Sequence, residues 1–264
     1  MDEQWALLYK DLAGFIDHDW REKCETVWTQ SENEGIRWSY PGCADYPLTW
    51  SRMIDPGGPK LFCYKGEAVW LSMPTISIVG SRTPMRETCL WMQREISQLL
   101  DVTRISVVSG GARGVDQWAH RICMDSGRPT VCIFPAGLQK IYPPGSENLF
   151  HRILDTGGAW VSTFALNQEM RKRMFIERNR WIAGLSPVTF VAEANRRSGS
   201  SLTAKLAHLE GRALCTLPVS PYSVQGLGNL DLLKDHRAHM IRNYRDLGEH
   251  YAEQVELLKP GFNV

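Results

Sequence analysis

Three short segments of the chain bring backbone-exposing glycine and serine together with arginine or a neighbouring strand end, and a fourth adds two further arginines. They are Gly80-Ser81-Arg82, Ser109-Gly110-Gly111-Ala112-Arg113-Gly114, Arg178-Asn179-Arg180 and Ser198-Gly199-Ser200. Three of the four follow an apolar, strand-like run, and each leads into or lies within a helix-like segment. Glycine lets a backbone approach a ligand closely, and a helix start presents N–H groups with no partner inside the helix. Arginine adds a forked donor that matches phosphate. Segments of this kind at strand-to-helix junctions are the makings of a site for a phosphate-rich ligand.

The second segment is the most telling, because its three glycines allow a nest of N–H groups that holds an anion. Ser198 is placed to cap a helix and to open a second anion cradle. Arg178 and Arg180, two residues apart, cannot share a helix face. One is expected to meet a ligand and the other an acid, for which Glu177 and Glu193 are candidates.

Other chemistry is weaker. Asp116 and His120 share a helix face at a spacing of four, as a metal pair or an acid–base pair would. Without a third ligand nearby, a capping role for Asp116 and a local hydrogen bond for His120 fit better. Ser109 with His120 and Asp116 could imitate a catalytic triad, but no nucleophile elbow of the G-x-S-x-G type is present. Cysteines 24, 43, 63, 89, 123, 132 and 215 are scattered, with no C-x-x-C pair. An odd number, several in apolar runs, predicts reduced core thiols, no structural metal and a cytoplasmic protein.

The net charge of +1 says little, but its distribution says more. Residues 1–34 carry nine acidic and three basic side chains. Residues 171–205 carry eight basic side chains, Lys172 and Lys205 among them, and two acidic ones. A charge run alone reads as a solvated face. Beside glycine loops it points to a polyanion. No apolar run approaches the ~18 residues of a membrane span.

The elements that must position these residues alternate. Strands are expected at 75–79, 105–109, 130–134, from 160, at 188–192 and at 213–217. Helices are expected at 86–100, 115–126, 146–155, 175–185, 200–210 and 244–258. Residues 40–60, rich in proline and glycine, read as irregular. Trp5, Leu8, Leu12 and Ile16 form a helical apolar row near the start. Strand–helix alternation with short links predicts an α/β, extended Rossmann-like fold, a doubly wound, mostly parallel sheet with helices on both faces. The expected organisation is a helical segment over 1–38, a core over 39–240 and a helical tail over 241–264.

The order of motifs resembles the DprA/Smf family of DNA-processing proteins. The resemblance runs from Tyr40-Pro41 and Tyr46-Pro47-Leu48 through Ile78-Val79-Gly80-Ser81-Arg82 and the Ser109–Asp116 segment with Ala119-His120. It continues through Ile141-Tyr142-Pro143, Arg178-Asn179-Arg180-Trp181, Glu193-Ala194 and Ser198–Ala204 to Gly228-Asn229-Leu230. It implies a homodimer that binds single-stranded DNA, protects incoming DNA and helps load a RecA-type recombinase in natural transformation. It implies no enzyme, cofactor or membrane association. The nucleic-acid-binding residues are expected to be Gly80, Ser81, Arg82, Ser109, Gly110, Gly111, Arg113, Gly114, Lys172, Arg178, Asn179, Arg180, Ser198, Gly199, Ser200 and Lys205. Trp118, Phe164 and Trp181 are the candidates for stacking on bases.

The chain departs from the family pattern at Thr163, at Ala165–Gln168, at Leu217-Pro218-Val219 and around His236-Arg237-Ala238. The last two fall where the family's dimerisation surface is expected. A short N-terminal module and no winged-helix module are expected. Two other readings compete: a nucleotide-binding enzyme or sensor on the related phosphoribohydrolase-like frame, and an adaptor that meets only proteins. The first would call for a P-G-G-x-G-T loop, where this chain has Pro135-Ala136-Gly137-Leu138.

Overall fold

Short strands buried along their whole length dominate the centre of the chain. They are β3 (Thr75–Val79), β4 (Ser106–Ser109), β5 (Thr130–Ile133), β6 (Ala159–Ser162) and β7 (Val188–Val191). Burial of every residue means both faces are covered, as in a parallel sheet flanked by helices. Strands β1 (Ile36–Ser39), β2 (Phe62–Gly66), β8 (Ala213–Thr216) and β9 (His239–Met240) complete the sheet. The computed structural model describes residues 18–54 and 57–258, with residues 18–24 described by their backbone alone.

The nine strands lie in the order β1, β2, β6, β5, β4, β3, β7, β8, β9. From β6 across to β9 all pairings are parallel, and β2 runs antiparallel to β6. The sheet is thus mostly parallel, α/β and doubly wound, as expected from the sequence. The Trp5–Ile16 apolar row lies outside the described residues.

The intervening helices are α1 (His18–Asn33), α2 (Arg86–Trp91), α3 (Ser97–Val102), α4 (Val115–Asp125), α5 (Glu147–Asp155), α6 (Lys172–Leu185), α7 (Gly199–Leu209), α8 (Leu227–Lys234) and α9 (Tyr244–Leu257). Short helical turns occur at Leu48–Ser51 and Val69–Ser72. The chain divides into two units, residues 1–37 and 38–264. The first holds α1, and β1 lies across the division. The second holds the remaining elements, α9 included. No helix among the described residues is long and apolar enough to cross a membrane.

Alternation along the strands feeds two cores, one on each face. One gathers Val79, Val108, Val131 and Val191 with Trp181, Ile182 and Leu185 of α6 and Ala204 and Ala207 of α7. The other gathers Ile76, Ile78, Val107 and Phe190 with Met92, Ile96, Leu99 and Leu100, with α4, and with Leu247 and Tyr251 of α9. The single helix expected over 86–100 is interrupted by a π-helical stretch, Met92–Ile96. That stretch carries the buried Glu95, whose carboxylate accepts the Tyr244 N–H at 2.9 Å and the Arg94 Nε–H at 2.7 Å. Glu95 thereby holds the start of α9.

Strand order positions the site. From β3 the chain winds outward through β4, β5 and β6, then returns to place β7 on the other side of β3. The connection after β3 leads to α2 on one face of the sheet, and that after β7 leads to α7 on the other. The two loops therefore part at the carboxyl ends of neighbouring strands, which opens a crevice there. The β7 loop is fixed by the buried Asn229 of α8. Its Oδ1 accepts the Ala194 N–H at 2.7 Å, and its Nδ2 donates to the Ala192 carbonyl at 3.0 Å. Asn229→Ala leaves those groups buried without partners. We expect it to lower stability by about 1–3 kcal/mol in denaturant melts; an unchanged midpoint would show that water replaces the amide.

Candidate nucleic-acid interface

The crevice between the β3 and β7 loops is a cleft of about 230 Å³. Gly80, Ser81 and Arg82 form one wall, and Ser198, Gly199, Ser200 and Asn195 the other. Phe175, Arg178 and Asn179 of α6 close it, with Asp116 of α4 beside them.

Each wall has a local cause. Gly80 lies against the Val115 side chain, with no room for a Cβ. Gly114 has φ +84°, and its Cα abuts the backbone of Ser81 and Arg82. This close approach lets the Val115 N–H donate to the Ser81 carbonyl at 3.0 Å, tying the two glycine loops together. Ser200 Oγ donates to the Gly80 carbonyl at 2.7 Å and ties the opposite wall to the first. Ser198 caps α7, its Oγ accepting the Ser201 N–H at 3.2 Å. The N–H groups of Gly199 and Ser200 belong to the first turn, where no helical carbonyl can receive them. Asn179 Nδ2 donates to the Gly199 carbonyl at 3.3 Å and fixes α7 against α6.

Behind the cleft lies a buried ion pair. Arg178 Nη1 is 3.8 Å from Asp116 Oδ2, and both side chains are almost wholly buried. The guanidinium occupies the space where a Cβ on residue 110 would be. Asp116 Oδ2 also accepts the Ala112 N–H at 3.3 Å. Burial lifts the Asp116 carboxyl above its ordinary range, opposed chiefly by the Arg178 guanidinium. Asp116 therefore does not cap the first turn of α4, as the sequence suggested; its carboxylate holds the loop before the helix and pairs with Arg178.

His120 lies deeper, with Nδ1 2.8 Å from Thr130 Oγ1. The Thr130 hydroxyl donates to the Val107 carbonyl at 2.7 Å, so it must accept from the imidazole, which places the proton on Nδ1. Nε2 is buried without a partner. Burial, with the nearby Arg178 and Arg121 charges, lowers the His120 pKa to about 3.

The structure gathers Gly80, Ser81, Arg82, Arg178, Asn179, Ser198, Gly199 and Ser200 around one cleft. The other expected residues lie elsewhere or have other roles. Ser109 is buried, and its hydroxyl donates to the Ile78 carbonyl at 2.6 Å. Gly110 and Gly111 are buried, the one against Arg178 and the other, at φ +69°, against Cys132 and Phe150. Their segment supports the cleft from behind, and only Ala112 of it reaches the lining. Arg113 is exposed, with Nη2 3.3 Å from the Pro144 carbonyl. Lys172 and Lys205 are exposed on α6 and α7. Arg180 faces away, paired with Glu210 at 3.1 Å and lying over the Trp181 ring.

The acids proposed from sequence for the two arginines, Glu177 and Glu193, are not their partners; those are Asp116 and Glu210. Buried Glu193 instead accepts the Met85 N–H at 3.0 Å and the Thr88 hydroxyl at 2.7 Å, anchoring the turn that follows Arg82. Of the eight basic residues in 171–205, Arg178, Arg180 and Arg196 pair with acids. Arg171, Lys172, Arg173, Arg197 and Lys205 are exposed and have no carboxylate partner among the described residues. Arg82 has none either.

Phe175 is the aromatic lining residue that the sequence reading missed. Its ring centroid is 5.3 Å from the Arg82 guanidinium and 5.6 Å from that of Arg178. The signal was present: residues 175, 178 and 179 share a helix face at spacings of three and four. The aromatics proposed for stacking are placed differently. Trp181 is buried in one core and Trp118 packs against the other. Phe164 is half-buried and is not among the lining residues. Six described cysteines, all but Cys24, carry free thiols.

Two outcomes follow from the buried groups. Gly110→Ala displaces the Arg178 guanidinium from its seat and leaves Asp116 buried without its partner. We expect a loss of about 3–5 kcal/mol in chemical denaturation; a loss under about 1 kcal/mol would mean that Arg178 relocates freely. His120 stays neutral in the fold to about pH 3 but takes a proton near pH 6.5 when unfolded. Its contribution is therefore complete above pH 6.5 and drains away as pH falls toward 3, by up to about 1.4 kcal/mol per pH unit. Melts of the wild type and His120→Gln between pH 7 and 4 should show the wild type losing ground at that rate. Parallel curves would mean that the imidazole charges without unfolding.

Comparison with known proteins places this arrangement in a family. The family model described as DNA recombination-mediator protein A matches residues 39–252. Protein Smf from Synechocystis is 35% identical over 198 residues, covering 73% of this chain and 48% of the relative. The DNA processing protein DprA of Streptococcus pneumoniae is 32% identical over 197 residues, covering 75% and 65%. The chain thus spans from about half to just under two thirds of the length of these curated relatives. The X-ray structure of DprA from Streptococcus pneumoniae superposes with a TM-score of 0.76 at 28% identity, covering 84% of this chain and 77% of that one. A structure of DNA processing protein A from Helicobacter pylori, reported for its single-stranded DNA binding mode, gives 0.71 at 26% identity, covering 82% and 96%. With its family match running through the sheet, the cleft and most of α9, the chain belongs to the DNA recombination-mediator protein A family.

Proposed function

We propose that this chain binds single-stranded DNA through the cleft between the β3 and β7 loops. The carrying observation is the Arg82 guanidinium, exposed and without a carboxylate partner among the described residues, facing the start of α7 across one small cleft. A charge-assisted donor on one wall and free N–H groups on the other are complementary to a phosphate. Phe175, held against both arginines, offers a base the aromatic surface that single-strand binders use. The exposed cations of α6 and α7 extend the positive surface beyond one phosphate, which favours a polymer over a mononucleotide. The single-strand binding reported for the Helicobacter pylori relative supports the same reading.

On this reading the protein works by binding, without covalent chemistry on the DNA. Its role is to protect incoming strands in the cytoplasm and pass them to a RecA-type recombinase during natural transformation, as a homodimer. The family match supports this role. Arg82→Ala tests the site. We expect single-strand binding to weaken by about 1.5–3 kcal/mol. The salt dependence should become shallower by about 0.7 in slope. Thermal melts should stay unchanged. An unchanged affinity and slope in a well-folded variant would remove Arg82 from the interface.

A further inference from the structure

One rim of the cleft continues beyond its lining. Ala112, a lining residue, is followed by the exposed Arg113, whose Nη2 lies 3.3 Å from the Pro144 carbonyl. Two residues before Pro144 stands Tyr142, whose ring meets Phe175 edge-on, with centroids 5.6 Å apart and planes at 77°. Phe175 is again a lining residue, so the rim begins and ends at the cleft. Tyr142 is half-buried, and its hydroxyl has no partner among the described residues.

The loop that carries Tyr142 is held in place. The Gly137 N–H donates to the Gln168 carbonyl and the Gln139 N–H to the Leu166 carbonyl, both at 2.9 Å. At its far end Ser146 Oγ accepts from Gln117 Nε2 at 2.9 Å. The two rings are therefore a preformed pair, with no loop ordering needed to bring them together.

We propose that a single strand leaving the cleft crosses this rim with one base on Phe175 and the next on Tyr142. The proposal rests on the reading of the cleft as a single-strand site. Its consequence is geometric. Two bases that each lie parallel to their own ring are held about as far from parallel as the rings are, so neighbouring bases cannot stay stacked on each other at this step. Binding then costs more for a strand whose bases stack strongly than for one whose bases stack weakly. The protein should prefer oligothymidylate to oligoadenylate without reading any base edge.

The test uses fluorescence anisotropy with labelled oligothymidylate and oligoadenylate of equal length. It compares the full chain with its Tyr142→Leu, Tyr142→Phe and Arg82→Ala variants. The wild type should favour thymidylate by about fivefold or more, the lower end of one base–aromatic contact. Tyr142→Leu should lose most of that preference, chiefly by weaker thymidylate binding, and Tyr142→Phe should keep it. Arg82→Ala should weaken both ligands alike and leave their ratio unchanged. A wild type without the preference overturns the proposal whatever the variants do. So does a folded Tyr142→Leu that retains it. If Arg82→Ala binds both ligands as the wild type does, the cleft itself has been misread. If it weakens both while Tyr142→Leu keeps the preference, only the Tyr142 step fails.

Discussion

The buried guanidinium of Arg178 sets the geometry of the cleft. A permanently charged group has been taken out of water, which costs several kcal/mol unless a countercharge and a close fit offset it. Asp116 supplies the countercharge, and the missing side chain at Gly110 supplies the space. Satisfying those needs fixes α6 against α4 and the β4 loop. Phe175 and Asn179 stand on the same face of α6, so they inherit its position. Asn179 then sets the start of α7 through the Gly199 carbonyl. One ion pair thus reaches the cleft along two side chains of a single helix.

The contrast with Arg180 shows why position on the helix decides the role. Two residues on, the chain points to another side of α6, where Glu210 and the Trp181 ring receive the charge. The two arginines stabilise different junctions. One locks α6 to the carboxyl ends of the strands, and the other locks it to the end of α7. Neither presents its charge freely to solvent. The exposed positive charge comes instead from Arg82 and from basic residues near the starts of α6 and α7.

Much of this was legible in the sequence. The runs at 75–79, 130–133 and 188–191 announce buried strands because they are short, uncharged and rich in β-branched residues. Gly80 and Gly114 read from sequence as glycines that approach a ligand, whereas the fold uses them to bring two loops together, against Val115 and the Ser81-Arg82 backbone. Three strands escaped the reading, β1 and β2 at one side of the sheet and β9 at the other, and for β2 the pairing is set from afar. Phe62–Gly66 finds its antiparallel partner about a hundred residues later, in β6, and His239–Met240 is too short to show a period. Arg178's partner escaped for the same reason, because Asp116 is distant in sequence and carries a local capping signal that accounts for it without any tertiary contact. The segment 109–111 misled in an instructive way. Its glycines are needed for closeness to protein, to Arg178 and Phe150, and closeness to a ligand leaves the same mark on a sequence. Phe175 was passed over because aromatic residues on a helix are usually core, and only the fold shows which face of α6 is left open.

A division of labour between buried and exposed charge follows for the proposed interface. The Arg178–Asp116 pair is nearly neutral as a unit and already desolvated, so it draws no condensed counterions from a strand and contributes shape more than attraction. Long-range attraction and its salt dependence come from the exposed guanidinium and ammonium groups, which exchange hydration and counterions for phosphate. A cleft with a neutralised floor and a charged rim can hold a phosphate in a defined place while the rest of the strand is held loosely. That combination lets a short rigid site grip a polymer without demanding a fixed path for all of it.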